Sequence, residues 1–251
     1  MSTPTHEDLI EQLDSSVFRV RSQTSSEDKT SLLRIHRLMR SRKVSYTYLE
    51  IGSYMGGTLL PHVNDARCRR VISIDKRPDA QPDERGQMFD YVHMNTNIMF
   101  DAIRPFVSLA ELQKVTAIDA DASQVSPHTI GDAIDLALID GEHTNVAAYS
   151  DFFSVLPNLA SDALVAFHDT NLVSDAIKNI QVYLSYSGIA HRLFCLPACV
   201  SVIALRGGIG VASEALAPYA LDEAAYIRSS KQNLREEIAR AVSAGLHLQM
   251  P

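Results

Sequence analysis

The sequence predicts an α/β fold: a doubly wound sheet, mostly parallel, that closes with a C-terminal antiparallel hairpin and follows a set of N-terminal helices. Three observations predict it. Short apolar runs alternate with segments of helical periodicity between residues 46 and 186. The first run, Tyr48-Leu49-Glu50-Ile51, ends in the turn Gly52-Ser53-Tyr54-Met55-Gly56-Gly57-Thr58, and the next, Val71-Ile72-Ser73-Ile74, ends in Asp75, 25 positions after Glu50. The last two runs, His191–Cys195 and 200–205, are separated only by Leu196-Pro197-Ala198-Cys199, which permits a hairpin but no crossover helix.

Residues 1–45 read as polar helices ahead of the core. Leu32, Leu33, Ile35, His36, Leu38 and Met39 give one of them an apolar face. Residues 46–208 form the nucleotide-binding unit, with strands expected at 46–51, 71–75, 115–118, 134–139 and 162–167. Helices are expected at 56–66, 97–113, 145–156 and 172–186. Residues 76–96, with Pro78, Pro82 and Gly86, read as a long inserted loop, the kind of segment that serves as a lid or substrate wall. Residues 209–251 form a polar tail with a helix around 221–242. There Ala224, Ile227, Leu234, Ile238 and Ala241 make a stripe suited to docking on the sheet or on a second subunit of a homo-oligomer.

With 251 residues and 46% apolar content, the chain can bury one large core. Its net charge of −7 argues against nucleic-acid partners, because phosphate neutralisation needs a basic face. No apolar run has membrane-spanning length, and Met1–Glu7 lacks the basic and apolar regions of a signal peptide. Three cysteines (Cys68, Cys195, Cys199) suit a reducing compartment, so a cytoplasmic protein without membrane contacts is expected.

The glycine spacing narrows the ligand. A dinucleotide pyrophosphate calls for G-x-G-x-x-G, whereas Gly52 and Gly56 are four apart with Tyr54 between them. Glu50 just before the turn would repel a pyrophosphate and suits an ammonium group. The pattern E-x-G-x-x-x-G-G-T resembles the first motif of class I S-adenosylmethionine-dependent methyltransferases, whose Rossmann-like sheet also closes with an antiparallel hairpin. Two further strands end in polar turns, Ile139-Asp140-Gly141-Glu142-His143-Thr144 and Phe167-His168-Asp169-Thr170. In an open α/β sheet these turns converge on the ligand-binding edge. The pair resembles the subfamily that includes macrolide sugar O-methyltransferases and cephalosporin-biosynthesis enzymes, over roughly residues 45–206.

The resemblance implies an enzyme that transfers a methyl group from S-adenosyl-L-methionine to a hydroxyl of a small molecule: a sugar, a polyol or a catechol-like acceptor. It implies that Glu50, Gly52, Ser53 and Gly56 contact the amino-acid end of the cofactor and that Asp75 takes the ribose hydroxyls. Asp121 and Ala122 would read adenine. Asp140, Asp169 and His168 would hold Mg2+, His168 standing in place of the acid found in some relatives. His143 would be the general base, with Asp140 sharing the catalytic role. Structural alternatives stand beside these. Asp140 could cap the following helix, His143 could bind the backbone of its turn, and His168 and Asp169 could orient a loop. A nicotinamide-dependent oxidoreductase or a non-catalytic nucleotide-binding protein would share Gly52 and Asp75. The first is disfavoured by the glycine spacing, and the second has no need of Asp140, His143 and Asp169 together.

Overall fold

The computed structural model describes residues 4–77, 79–131 and 133–243. The expectations for Met1–Thr3, Pro78 and residues 244–251 lie outside them. Two helices, α1 (His6–Glu11) and α2 (Ser26–Arg42), precede β1 (Tyr46–Ile51). A short helix α3 (Leu60–Val63) leads to β2 (Cys68–Asp75), followed by a hairpin of β3 (Ala80–Pro82) and β4 (Met88–Asp90). Next come α4 (Thr96–Ile103), α5 (Leu109–Leu112), β5 (Val115–Asp119), α6 (Pro127–Ile130) and β6 (Ile134–Ile139). The rest is α7 (Asn145–Val155), β7 (Leu159–Phe167), α8 (Ser174–Tyr186), β8 (His191–Cys195), β9 (Ser201–Leu205), α9 (Gly208–Leu216) and α10 (Glu223–Ser243).

Seven strands form one sheet in the order β5-β2-β1-β6-β7-β9-β8. The pairs among β5, β2, β1, β6 and β7 are parallel, and β9 is antiparallel to both of its neighbours. The expected mostly parallel sheet with a closing hairpin is therefore present. Strand order reverses between β1 and β6, so the chain leaves their C-terminal ends in opposite directions and opens a crevice there.

Period-two alternation assigns the two faces. Leu49, Ile51, Ala137, Ile139, Val165 and Phe167 pack under α7 and α8 with Phe152 and Ile177. Tyr46, Tyr48, Leu136, Leu138, Leu164 and Ala166 pack beneath α2 and α9, against Leu38, Met39, Ala212 and Leu216. Each large buried side chain contributes about 1.5–3 kcal/mol of burial, so helix α2 and the unanticipated helix α9 are integral to the core.

Three expected elements differ in detail. The helix at 56–66 shrinks to Leu60–Val63, because Gly56 takes a left-handed φ of 81° and Pro61 belongs at a helix start. The helix at 97–113 divides at Pro105, which has no N–H to bond the preceding turn. The 76–96 segment contains the β3–β4 hairpin. In α10, Ile227, Leu234, Ile238 and Ala241 are half-buried while Ala224 is exposed, and Tyr226 and Leu234 pack against this chain's own core.

Candidate active site

Backbone bonds continue the ladder past the strands and bring their ends level. The N–H of Gly52 donates to Ile74 O, that of Asp140 to Ile51 O and that of His168 to Ile139 O, all within 2.9–3.0 Å. Gly52 has φ 89°, and a Cβ there would lie 1.9 Å from the Asp140 carbonyl oxygen. Only glycine fits so close an approach.

Around this corner lies a cleft with two lobes. One, of about 610 Å³, is lined by Ser53, Tyr54, Gly57 and Thr58 of the glycine turn, by Arg21–Thr24 ahead of α2, and by Asp140, His143, His168 and Asp169. The other, of about 680 Å³, is lined by Asp121, Ala122, Ser123 and residues of α7. Gly52, Asp75, Gln81 and Gly141 border both, so the lobes adjoin along the strand ends with Asp75 at the junction. Asp75 Oδ2 accepts the N–H of Tyr54 at 2.8 Å. Burial pushes the Asp75 carboxyl upward, against the pull of Arg77. Arg77 itself donates to Asp119 and to the Tyr54 carbonyl, pinning the turn to β5.

Two expected contacts are corrected. Glu50 does not border the cleft: it is fully buried, taking the hydroxyls of Tyr48 and Thr58 at 2.6 Å each. Burial pushes its carboxyl up to about 8, and both of its oxygens are engaged inside the core rather than turned to a ligand. Gly56 likewise faces Ile103 and Met99 of α4, and its role is close packing, while Gly57 borders the cleft. Asp121 does border the second lobe, although its Oδ1 is taken by the N–H and hydroxyl of Ser123.

The polar turns after β6 and β7 meet in the first lobe. His143 Nε2 lies 3.2 Å from Asp169 Oδ2 and 3.7 Å from Asp140 Oδ1. His168 Nδ1 lies 3.1 and 3.0 Å from the same two oxygens. Asp169 adopts φ 48°, an uncommon conformation for a residue with a side chain, and its carboxylate meets both histidines. Thr144, accepting the Ala147 N–H, caps α7, so Asp140 is free of that duty. Burial would raise the Asp140 carboxyl, but His168 and His143 hold it down to about 2. Burial disfavours charge on both histidines, yet Asp140 and Asp169 raise His143, and Asp140, Asp169 and Asp28 hold His168 well above the usual range. The corner is built to stabilise positive charge.

A divalent cation fits it. Ligand atoms around an ion with bonds near 2.1 Å are about 2.9–3.4 Å apart. His168 Nδ1, at 3.0 and 3.1 Å from the two carboxylate oxygens, and His143 Nε2, at 3.2 Å from Asp169, match that spacing, while His143 Nε2 stands 3.7 Å from Asp140. Asp140, His143 and Asp169 offer ligand atoms mutually within 4.8 Å.

The sequence reading missed Asp28, whose Oδ2 accepts from Ser25 in the capping box of α2 and lies 3.5 Å from His168 Nε2. A capping box was visible in Ser25-x-x-Asp28, but nothing local marks a partner 140 positions away. Tyr54, Gln81, Tyr91 and Met94 were also missed as cleft residues.

This sheet, with one reversed strand and a cleft over the glycine turn, is the class I methyltransferase fold. Residues 49–170 match a family described as a methyltransferase domain, so the chain carries an S-adenosylmethionine-dependent methyltransferase domain on that fold. A candidate caffeoyl-CoA O-methyltransferase from Staphylococcus aureus superposes with a TM-score of 0.51 at 16% identity, over 82% of this chain and 93% of that one. An rRNA methylase from Streptococcus thermophilus (TM-score 0.49, 10% identity, 74% and 98% covered) and the calicheamicin methyltransferase CalS11 (0.48, 14%, 81% and 94%) are further structural neighbours. No curated protein sequence matches the chain. Among the described residues, no helix is long and apolar enough to cross a membrane.

Proposed function

We propose that the protein methylates a hydroxyl oxygen of a small molecule, a sugar, a polyol or a catechol-like compound, with His143 as the base. The observation that carries this reading is the meeting of Asp140, His143 and Asp169 in the lobe that also holds the glycine turn. In this reading the Gly52–Ser53 turn takes the amino-acid end of S-adenosylmethionine, Asp75 the ribose hydroxyls, and Asp121 and Ala122 the adenine. The bound cofactor supplies an electrophilic methyl group on its sulfonium. The chain must then align an acceptor oxygen with that methyl and remove its proton.

His143 is suited to the second task. Its side chain is 22% exposed on the cleft wall, and Asp140 and Asp169 steady the charge it gains on taking the proton. Asp140 and Asp169 would hold a divalent cation, which when bound supplies Lewis acidity toward an acceptor hydroxyl. Tyr91, whose hydroxyl donates to Gln23, joins the 76–96 segment to the segment ahead of α2 across the cleft mouth and restricts entry. The negative charge of the chain and the narrow cleft favour a small acceptor over a nucleic acid. The test is transfer of a labelled methyl group to a panel of hydroxylated sugars, polyols and catechols, with the product bond assigned by NMR. An O-methyl product is expected; transfer only to nitrogen or to RNA would overturn the reading.

A further inference from the structure

We propose that His168, oriented from behind by Asp28, is itself a metal ligand, and that the resulting site takes a transition cation of the Mn2+ to Zn2+ series in preference to Mg2+. This rests on the reading that Asp140 and Asp169 hold a divalent ion.

His168 is built as a ligand in a way that His143 is not. Its side chain is 5% exposed, Nδ1 faces Asp140 Oδ1 and Asp169 Oδ2, and Nε2 is turned away from the cleft toward Asp28 Oδ2 at 3.5 Å. At that separation Nε2 has charge contact but no directed hydrogen bond, and a small movement would complete one. A histidine with one nitrogen toward an ion and the other toward a carboxylate is the usual arrangement at metal centres, because the carboxylate fixes the tautomer and raises ligand basicity. Asp28 is held for this role: Oδ2 takes Ser25 N–H and hydroxyl, and Oδ1 takes Cys199 N–H at 3.0 Å. His143 has no such backing and stays available as a base. Among the described residues, the ion-pair partners of Asp140 and Asp169 are these two histidines alone, so no lysine or arginine competes for the corner.

The donor set decides the ion. Mg2+ demands near-octahedral oxygen ligands, and an imidazole in a fixed position suits it poorly. Borderline divalent ions accept mixed nitrogen and oxygen sets and gain affinity along the Irving–Williams order. A second grouping, Asp28 with His168 and Cys199, is a weaker competitor, since the Cys199 N–H and thiol both already donate to Asp28 Oδ1.

The test uses the full chain stripped of metal and titrated calorimetrically with Co2+, Mn2+ and Mg2+ in the presence of S-adenosylhomocysteine. One Co2+ per chain should bind at least about tenfold more tightly than Mg2+. His168→Ala should abolish that preference. Asp28→Asn should weaken Co2+ about 10–100-fold with unchanged S-adenosylhomocysteine affinity, the sign of an intact fold. His168→Glu should turn the site toward Mg2+. Equal or tighter Mg2+ binding by the unaltered protein overturns the proposal without recourse to any variant. So does Co2+ affinity indifferent to His168→Ala, or a thiolate-to-cobalt absorption band lost in Cys199→Ser. Methyl transfer is scored separately: a protein that binds Co2+ through His168 but methylates no hydroxyl refutes the proposed function and leaves the metal assignment standing.

Discussion

Two polar clusters in this molecule share almost the same ingredients and reach opposite ends. Beneath the sheet, Asp65 is wholly buried and takes hydrogen bonds from Tyr46 and Arg40, with His36 Nε2 at 2.9 Å, while the His62 ring stacks between those of His36 and Tyr48. At the strand ends, Asp140 and Asp169 face His143 and His168. In the first cluster Arg40 supplies the positive charge, and burial pushes His36 and His62 below the usual range. In the second no guanidinium is present among the described partners, and the carboxylates raise both histidines. Residue types alone therefore do not define a site. A surplus of carboxylate opening on the ligand cleft does, whereas a balanced, buried set bordering only a smaller, mostly apolar pocket is architecture.

The sharpest way to break that comparison is to remove one histidine from each cluster. His143→Ala should lower turnover by roughly 10²–10⁴ with S-adenosylhomocysteine affinity close to that of the unaltered protein in calorimetry. His62→Ala should instead lower the unfolding midpoint and leave kcat per folded molecule near its starting value. Turnover indifferent to His143 would place the strand-end cluster in the architectural class too.

The next effect in size lies in the closed cluster. Asp65→Asn leaves the buried Arg40 with only the exposed Glu11 carboxylate, 3.9 Å away, as counter-charge, a change expected to cost about 3–5 kcal/mol in urea denaturation. A cost near zero would mean that Arg40 reaches solvent or another partner.

Both histidine clusters differ in legibility as much as in chemistry. The turn after β1, the acid ending β2 and the closing hairpin are written in consecutive residues, so a reader of the sequence finds them. Asp140, His143 and Asp169 were legible because each follows an apolar run that had to be a strand, and strand ends in such sheets converge. Asp28 and Arg40 were not, because their meaning depends on where α2 crosses the sheet. Glu50 was read toward the ligand from its place beside the glycines. Its strand parity says otherwise, for Tyr46, Tyr48 and Glu50 lie on one face, and that face is covered by α2.

Ranking third, Asp75→Ala should weaken S-adenosylhomocysteine by about 1.5–3 kcal/mol, the worth of hydrogen bonds to a charged group, while the fold survives. Unchanged affinity in calorimetry would remove Asp75 from the ribose site.

A last effect, absent near pH 4–5 and growing as pH rises, concerns Glu50, whose buried carboxyl stands at about 8 against an ordinary 4.5. A group raised on folding lends its full stability below the ordinary value and loses it as pH climbs to the raised one. Glu50→Gln should therefore match the unaltered protein within about 1 kcal/mol at pH 4–5 and become relatively more stable as pH rises from 4.5 toward 8. Parallel stability curves across that window would show that Glu50 is ionised in the folded protein.

The contact between Gly52 and the Asp140 carbonyl carries a consequence for how such an enzyme can change. Under the proposed function, the turn that takes the methyl donor and the corner that handles the acceptor are in direct backbone contact at Gly52 and Asp140. Neither compartment can be widened from that side without moving the other. New acceptors must be accommodated from the opposite bank, where Arg21–Thr24, Gln81, Tyr91 and Met94 line the opening. Those loop residues, rather than the strand ends, are where substrate range can drift while the chemistry stays in place.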